Sequence, residues 1–310
     1  MSVSATMRPG VAAAAALIVL LVAGCGPGST PSPAATPADT SPVSYATGPT
    51  DLVLQASSGG GLLPDSMRLA EIPELSIYGD GSVVRLGAHA SGSRDPLLPQ
   101  LTEMHVTADG IARILRAARE AGALGPDRHY DLPGTYDLWT VEFTVTADGK
   151  THRVSAFGLG FKDEDRIAPP GEIEARRSLG KLYDQILDLR AWLPAGTVGT
   201  DSAYAPAGTR VYMTRLVDWS TAVASGTAAP ASPRAGQELR PWPFASPPES
   251  FGTAVGAGRS WYCAVVGQDE SAALGLDSAT WDTRWQAAGY LYQVVARPLL
   301  PHESGCPADA

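Results

Sequence analysis

Lysine is nearly missing from this chain. Three occur, at 150, 162 and 181, against 20 arginines in 310 residues. Cysteine is as scarce, at positions 25, 263 and 306, and there are five histidines. Charged residues make up 18%, and acids outnumber bases by 32 to 23. An acidic body argues against nucleic acid, or an anionic lipid surface, as the main partner. Cys263 and Cys306 stand 43 apart with no histidine pair beside them, a poor zinc site, so neither metal nor cofactor is expected. After residue 24 no run is long and apolar enough to span a bilayer. The scarcity of lysine beside abundant Ala, Gly and Pro fits the codon usage of a GC-rich genome better than a binding signal.

What is present at the start is a targeting segment. Val11 to Ala23 is 13 residues of Ala, Val, Leu and Ile behind Arg8, then Gly24 and Cys25. That length suits a signal peptide and falls short of a spanning helix. Val22-Ala23-Gly24-Cys25 has the small residues of a bacterial lipobox, which makes Cys25 the lipid attachment point. Two acyl chains on a diacylglycerol give stable anchoring where one does not. Residues 1–24 are therefore the leader, and the mature chain is expected to be held on the extracytoplasmic face of the membrane. Losing Arg8 and no acid brings its net charge to −10. Residues 25–50 carry the lipidated cysteine and a tether rich in Pro, Ser and Thr, which cannot bury enough apolar surface to order itself. In an oxidising compartment the remaining pair, Cys263 and Cys306, is most simply a disulfide that pins the C-terminal tail.

The rest reads as α+β, an antiparallel sheet with β-hairpins and helices packed on one face. Two units are expected, 51–195 with two hairpins and 205–306, with continuity between them left open. A two-residue turn at Asp80-Gly81 would pair Tyr78 with Val83, Ile77 with Val84 and Leu75 with Leu86. Asp148-Gly149 would pair Val145 with His152, Phe143 with Val154, Val141 with Ala156 and Trp139 with Gly158. The period of two across Trp139, Val141, Phe143 and Val145 implies one buried face. Thr107 can cap a helix ending near Gly122, with Ile111, Ile114, Leu115 and Ala118 on one stripe. A longer helix is expected from Glu172 to Trp192, and further strands at Arg210–Arg215, Trp261–Val266 and Tyr290–Ala296.

Catalytic signatures fail on context. Gly149-Lys150-Thr151 resembles the end of a phosphate loop but sits in a hairpin. Ser178 and Lys181 match Ser-x-x-Lys without the motif's other members. Asp163, Glu164 and Asp165 read as a solvated cluster, and His152 as a histidine at the rim of the core. Five tryptophans, Trp219, Trp242, Trp261, Trp281 and Trp285, fall in the second half. They suit core packing or, if exposed, stacking on sugar rings; the last four are the candidate ligand-binding residues.

Three stretches carry a resemblance. They are Leu75 to Gly81, Leu138 to Phe157, and the ending Arg297-Pro298-Leu299-Leu300-Pro301-His302-Glu303-Ser304-Gly305-Cys306. In these the chain resembles an uncharacterised family of actinobacterial lipoproteins over most of 51–306. The resemblance implies secretion and lipidation and supplies no catalytic residue. Three functions stay open. The first is a non-catalytic binding or interaction module of unknown ligand. The second is an envelope glycan- or peptide-binding lipoprotein that uses the tryptophans, and the third is a hydrolase of unfamiliar type.

Overall fold

In the computed structural model, which describes residues 41–87, 95–218, 229–256 and 260–307, the Asp148-Gly149 turn closes its hairpin in the expected register. Phe143 faces Val154, Val141 faces Ala156 and Val145 faces His152. Both turn residues take positive φ, 51° and 73°, as a tight type I′ turn requires. Val141, Phe143, Val145 and Ala147 are buried while Glu142 is exposed. Trp139 does not extend that face, being 47% exposed just ahead of the strand. Cys25, residues 1–24 expected as a leader, residues 26–40 and Trp219 lie outside the described residues.

The first half builds eight strands and five helices in the order β1 (Leu52–Gly59), α1 (Asp65–Ala70), β2 (Leu75–Tyr78), β3 (Ser82–Leu86), β4 (Leu101–His105), α2 (Ala108–Glu120), β5 (Arg128–Tyr130), β6 (Thr140–Ala147), β7 (Lys150–Phe157), α3 (Glu164–Ile167), α4 (Ile173–Leu187), α5 (Leu189–Trp192) and β8 (Ser202–Ala203). The sheet order is β5-β7-β6-β1-β2-β3-β4-β8, antiparallel except for β5 beside β7. The second half supplies β9 (Thr209–Arg215), a small ribbon of β10 (Val217–Asp218) and β11 (Ala229–Pro230), then β12 (Leu239–Pro241), α6 (Pro248–Phe251), β13 (Thr253–Val255), β14 (Trp261–Val266), α7 (Gln268–Leu274), β15 (Arg284–Ala287) and β16 (Tyr290–Pro298). Its sheet runs β12-β15-β16-β9-β14-β13. The architecture is α+β, with more strand than helix. Pro42–Ala310 forms one compact unit. No helix among the described residues is long and apolar enough to cross a membrane.

The β2–β3 hairpin departs from expectation by one residue. Ile77 faces Val83, Ser76 faces Val84 and Leu75 faces Arg85. Its connection is three residues, Gly79-Asp80-Gly81, with Gly81 at φ 95°. Such loops end on a left-handed glycine. The Asp80 carboxylate locks the geometry by accepting from the Ser82 N–H at 2.9 Å and the Ser82 hydroxyl at 2.7 Å. The slip sends Leu75, Ile77 and Val83 to the helix side and Tyr78, Val84 and Leu86 to the other. Both sides are covered here. Leu300 and Tyr204 pack against Tyr78 and Val84, so the expectation of one wet face fails at the centre of the sheet and holds along β6.

The helices lie where the stripes place them. Thr107 caps α2 by accepting from the Gly110 N–H at 3.3 Å. Ile111, Ile114, Leu115 and Ala118 join Leu179, Leu182 and Ile186 of α4 over Phe143 and Val154. The expected continuous helix to Trp192 breaks at Asp188, whose φ of −125° and ψ of 66° leave the helical region. Its carboxylate then caps α5 by accepting from the Ala191 N–H at 3.1 Å.

The acidic triplet at 163–165 is not merely solvated. Glu164 accepts from the fully buried Arg176 guanidinium at 2.6 Å. That guanidinium also donates to the carbonyls of Tyr130, Asp131 and Phe157, at 3.1, 3.3 and 2.7 Å. A charge can be buried only when its donors are satisfied in this way. Arg176 thereby stitches α4 to the ends of β5 and β7.

Candidate functional site

The C-terminal segment, Arg297 to Cys306, is structural in its chemistry. Cys306 is bonded to Cys263 of β14, with Cα atoms 5.9 Å apart. Arg297 at the end of β16 donates to the Glu71 carbonyl at 2.7 Å and pairs with Glu303. Glu303 also accepts from the Leu300 N–H at 2.9 Å and lies 3.6 Å from Arg210. Burial alone would raise the Glu303 pKa; Arg297, the Leu300 N–H and Arg210 outweigh it and hold the carboxyl below its ordinary value. His302 meets the Tyr78 hydroxyl at 2.9 Å, and burial lowers its pKa. Burial also pushes Tyr204 up to about 12, with Glu103 and Glu303 adding to it. The Tyr204 hydroxyl donates to the Leu299 carbonyl at 2.9 Å. These groups are consumed in tying the tail across the first sheet.

A cleft opens beside this tie, with a volume of about 610 Å³. One wall is the loop from α1 into β2, bearing Glu71 and Glu74, together with Ser58 of β1. The opposite wall is Asp277 to Trp281, after α7. Asp95 to Gln100, leading into β4, completes it. The two halves of the chain are joined here by backbone. The Leu97 N–H donates to the Ala279 carbonyl at 2.8 Å, and the Trp281 N–H to the Asp95 carbonyl at 3.4 Å. A cleft of this size lies in the range of small-ligand sites.

Its charge is one-sided. Glu71, Glu74, Asp95 and Asp277 line it, and among the described lining residues none is Lys, Arg or His. The Ser58 hydroxyl donates to Glu74 Oε1, while Glu74 Oε2 is shielded from solvent and has no hydrogen-bond partner among the described residues. Tyr183 lies behind this pair; burial and the nearby Glu74 carboxylate raise its pKa. Among the described residues no group of three or more His, Cys, Asp or Glu is placed to hold a metal ion. The carboxylates are spread around the walls rather than converged.

The four candidate tryptophans separate. Trp285 is fully buried, with its indole N–H 3.3 Å from the Leu274 carbonyl, and Trp261 is 8% exposed in the second sheet. Both are core residues with no ring face to offer. Trp242 is half-buried and packs edge-on to Phe244 and Phe251 at 5.3 and 5.5 Å, donating to the Ser246 carbonyl. Trp281 alone of the four lines the cleft. The sequence reading missed Glu71, Glu74, Asp95 and Asp277. They come from three separate stretches, Glu71 with Glu74, Asp95, and Asp277, and no recognised motif joins these stretches. His152 sits at the rim as expected, its Nδ1 2.7 Å from the Gly125 carbonyl. No family model, curated protein or solved structure matches the chain.

Proposed function

We propose that this chain is an extracytoplasmic lipoprotein, anchored through Cys25, whose folded body is a non-catalytic binding module for an envelope glycan or peptide fragment. The observation that carries the reading is that the charged residues described along the 610 Å³ cleft beside Trp281 are all acids. Carboxylates accept hydrogen bonds and donate none when ionised. A ligand that satisfies them must bring donors, as sugar hydroxyls and ammonium groups do. The indole adds a flat apolar wall for a sugar ring or a cation. Ser58 and Glu74 are in contact in the cleft, but among the described lining residues no histidine, lysine or cysteine stands beside them to complete a nucleophilic site. Binding is therefore favoured over hydrolysis. The lipobox and the resemblance to actinobacterial lipoproteins support the placement.

Calorimetric titration with soluble amine-bearing muropeptides tests the reading. Wild type should bind, and Trp281→Ala and Glu74→Gln should each weaken binding at unchanged fold. Equal affinity in all three proteins would remove the cleft from consideration. Anchoring is tested separately, because Cys25→Ala should release the protein from membranes or leave an uncleaved precursor.

A further inference from the structure

The cations of α2 and α4 fall into two groups. Arg119 pairs with Asp148 at 3.6 Å, Arg176 with Glu164 at 2.6 Å and Arg177 with Asp165 at 2.8 Å. Arg113, Arg116 and Lys181 are exposed and have no ion pair or hydrogen bond to any described residue. These three unpaired cations converge on one groove of about 290 Å³ between the two helices. Glu120 is the only acid among the described residues lining it, while Ser178 and Gln185 add neutral donors. In a chain of three lysines and net charge −9, this gathering of uncompensated positive charge needs an explanation.

Position supplies one. The chain enters the folded body beside this groove. The Ser44 N–H and hydroxyl donate to Asp148 Oδ1 at 2.8 and 2.9 Å, and Arg119 pairs with the other oxygen of the same carboxylate. Arg119 is about one helical turn from Arg116. Sixteen residues lie between Cys25 and Pro42, a reach of at most roughly 50 Å at 3.1 Å per residue. An acidic body held that close to an anionic leaflet is repelled by it, unless it turns a local positive face toward the phosphates.

We propose that the α2–α4 groove is that face, and that Arg113, Arg116 and Lys181 receive the phosphates of anionic lipid headgroups and orient the anchored body. This refines the bulk-charge argument, since net charge excludes a general attraction to lipid while the local arrangement selects one docking face. It rests on the anchored reading of Cys25, yet the two can fail separately.

The test uses the mature chain from Gly26 onward without its lipid, so that no acyl chain contributes. It is sedimented with vesicles of phosphatidylcholine alone or mixed with phosphatidylglycerol, at low and at high salt. The protein should partition onto the anionic vesicles only, and high salt should remove it. Each basic side chain near such a surface contributes roughly 5-fold to partitioning. Changing Arg113→Gln and Arg116→Gln together should therefore reduce binding by about 30-fold. Arg177→Gln, on the same helix layer but outside the groove, should leave it unchanged, and the circular dichroism of all variants should match wild type. No excess binding to anionic vesicles would overturn the proposal. So would binding that the double variant retains, or binding to a soluble anionic polymer but not to vesicles. Failure of the anchor would appear instead in membrane fractionation of the Cys25→Ala protein.

Discussion

Replacing Phe143 with alanine tests the pleat of β6 at its most buried point. The ring is fully buried, faces Val154 across the hairpin and meets the Tyr183 ring edge-on at 6.1 Å. Truncation removes its transfer free energy and leaves a cavity under α2 and α4, at about 3–5 kcal/mol. Part of that, roughly 0.5–1.5 kcal/mol, is the aromatic pair with Tyr183. A domain stable by about 5–15 kcal/mol would lose a large share of its margin. Glu142, one residue earlier, points to solvent, and Glu142→Ala should cost within about 0.5 kcal/mol. Urea denaturation of both variants, with the slope m unchanged, measures the contrast. Equal losses would mean that burial does not alternate along β6 and that the register is wrong.

Three further outcomes follow from the same structure. Closing a 43-residue loop gives the Cys263–Cys306 bond a stabilisation of about 4 kcal/mol on the chain-entropy model. Denaturation of the Cys263→Ala, Cys306→Ala protein should show that loss, and both cysteines should resist alkylation in wild type until reduced. Arg176→Ala strips Glu164 and three carbonyls of their donor, and breaking such a buried pair costs about 3–5 kcal/mol. Arg177→Ala on the solvent side should hardly register by the same measurement. Stability should also fall on acidification. His302 is held below its ordinary 6.5, so the unfolded chain protonates first; its contribution is complete above about pH 6.5 and declines as pH falls toward the folded value. Glu303, held below its ordinary 4.5, contributes above that pH and loses the contribution as pH falls through its lowered folded value. Urea midpoints against pH should show a smaller slope below neutrality in His302→Gln, and a smaller one at more acid pH in Glu303→Gln.

The sequence made the fold more legible than the site, for a local reason. Asp148-Gly149 fixes a register within two residues, and the α2 stripe with its Thr107 cap is written in adjacent positions. The β2–β3 register depended on whether Gly79 belongs to the strand or the loop, and the Ser82 contact with Asp80 decides that. Nothing in the alternation of β2 distinguishes its two faces, because all four residues are buried. Cover for the second face arrives from Leu300, more than 200 residues later. The Arg176 network was hidden for the same reason, since an acid triplet and a helical arginine reveal their pairing only once α3 and α4 are placed. Tryptophan number was a poor guide to a site. Trp285 and Trp261 fill cores, and only the fold tells Trp281 from them. The acids of the cleft come from three separate stretches, so their shared location exists only in three dimensions.

The most direct test of the binding reading is a residue-resolved map. Amide resonances of the isotope-labelled chain from Gly26 onward would be followed while a soluble amine-bearing muropeptide is added. Saturable shifts confined to residues 70–74, 95–100 and 277–281, with the Trp281 indole among the largest, are the predicted result. Shifts that gather at the Trp242 cluster or on the outer face of β6, or none at concentrations where binding is seen by calorimetry, would contradict it.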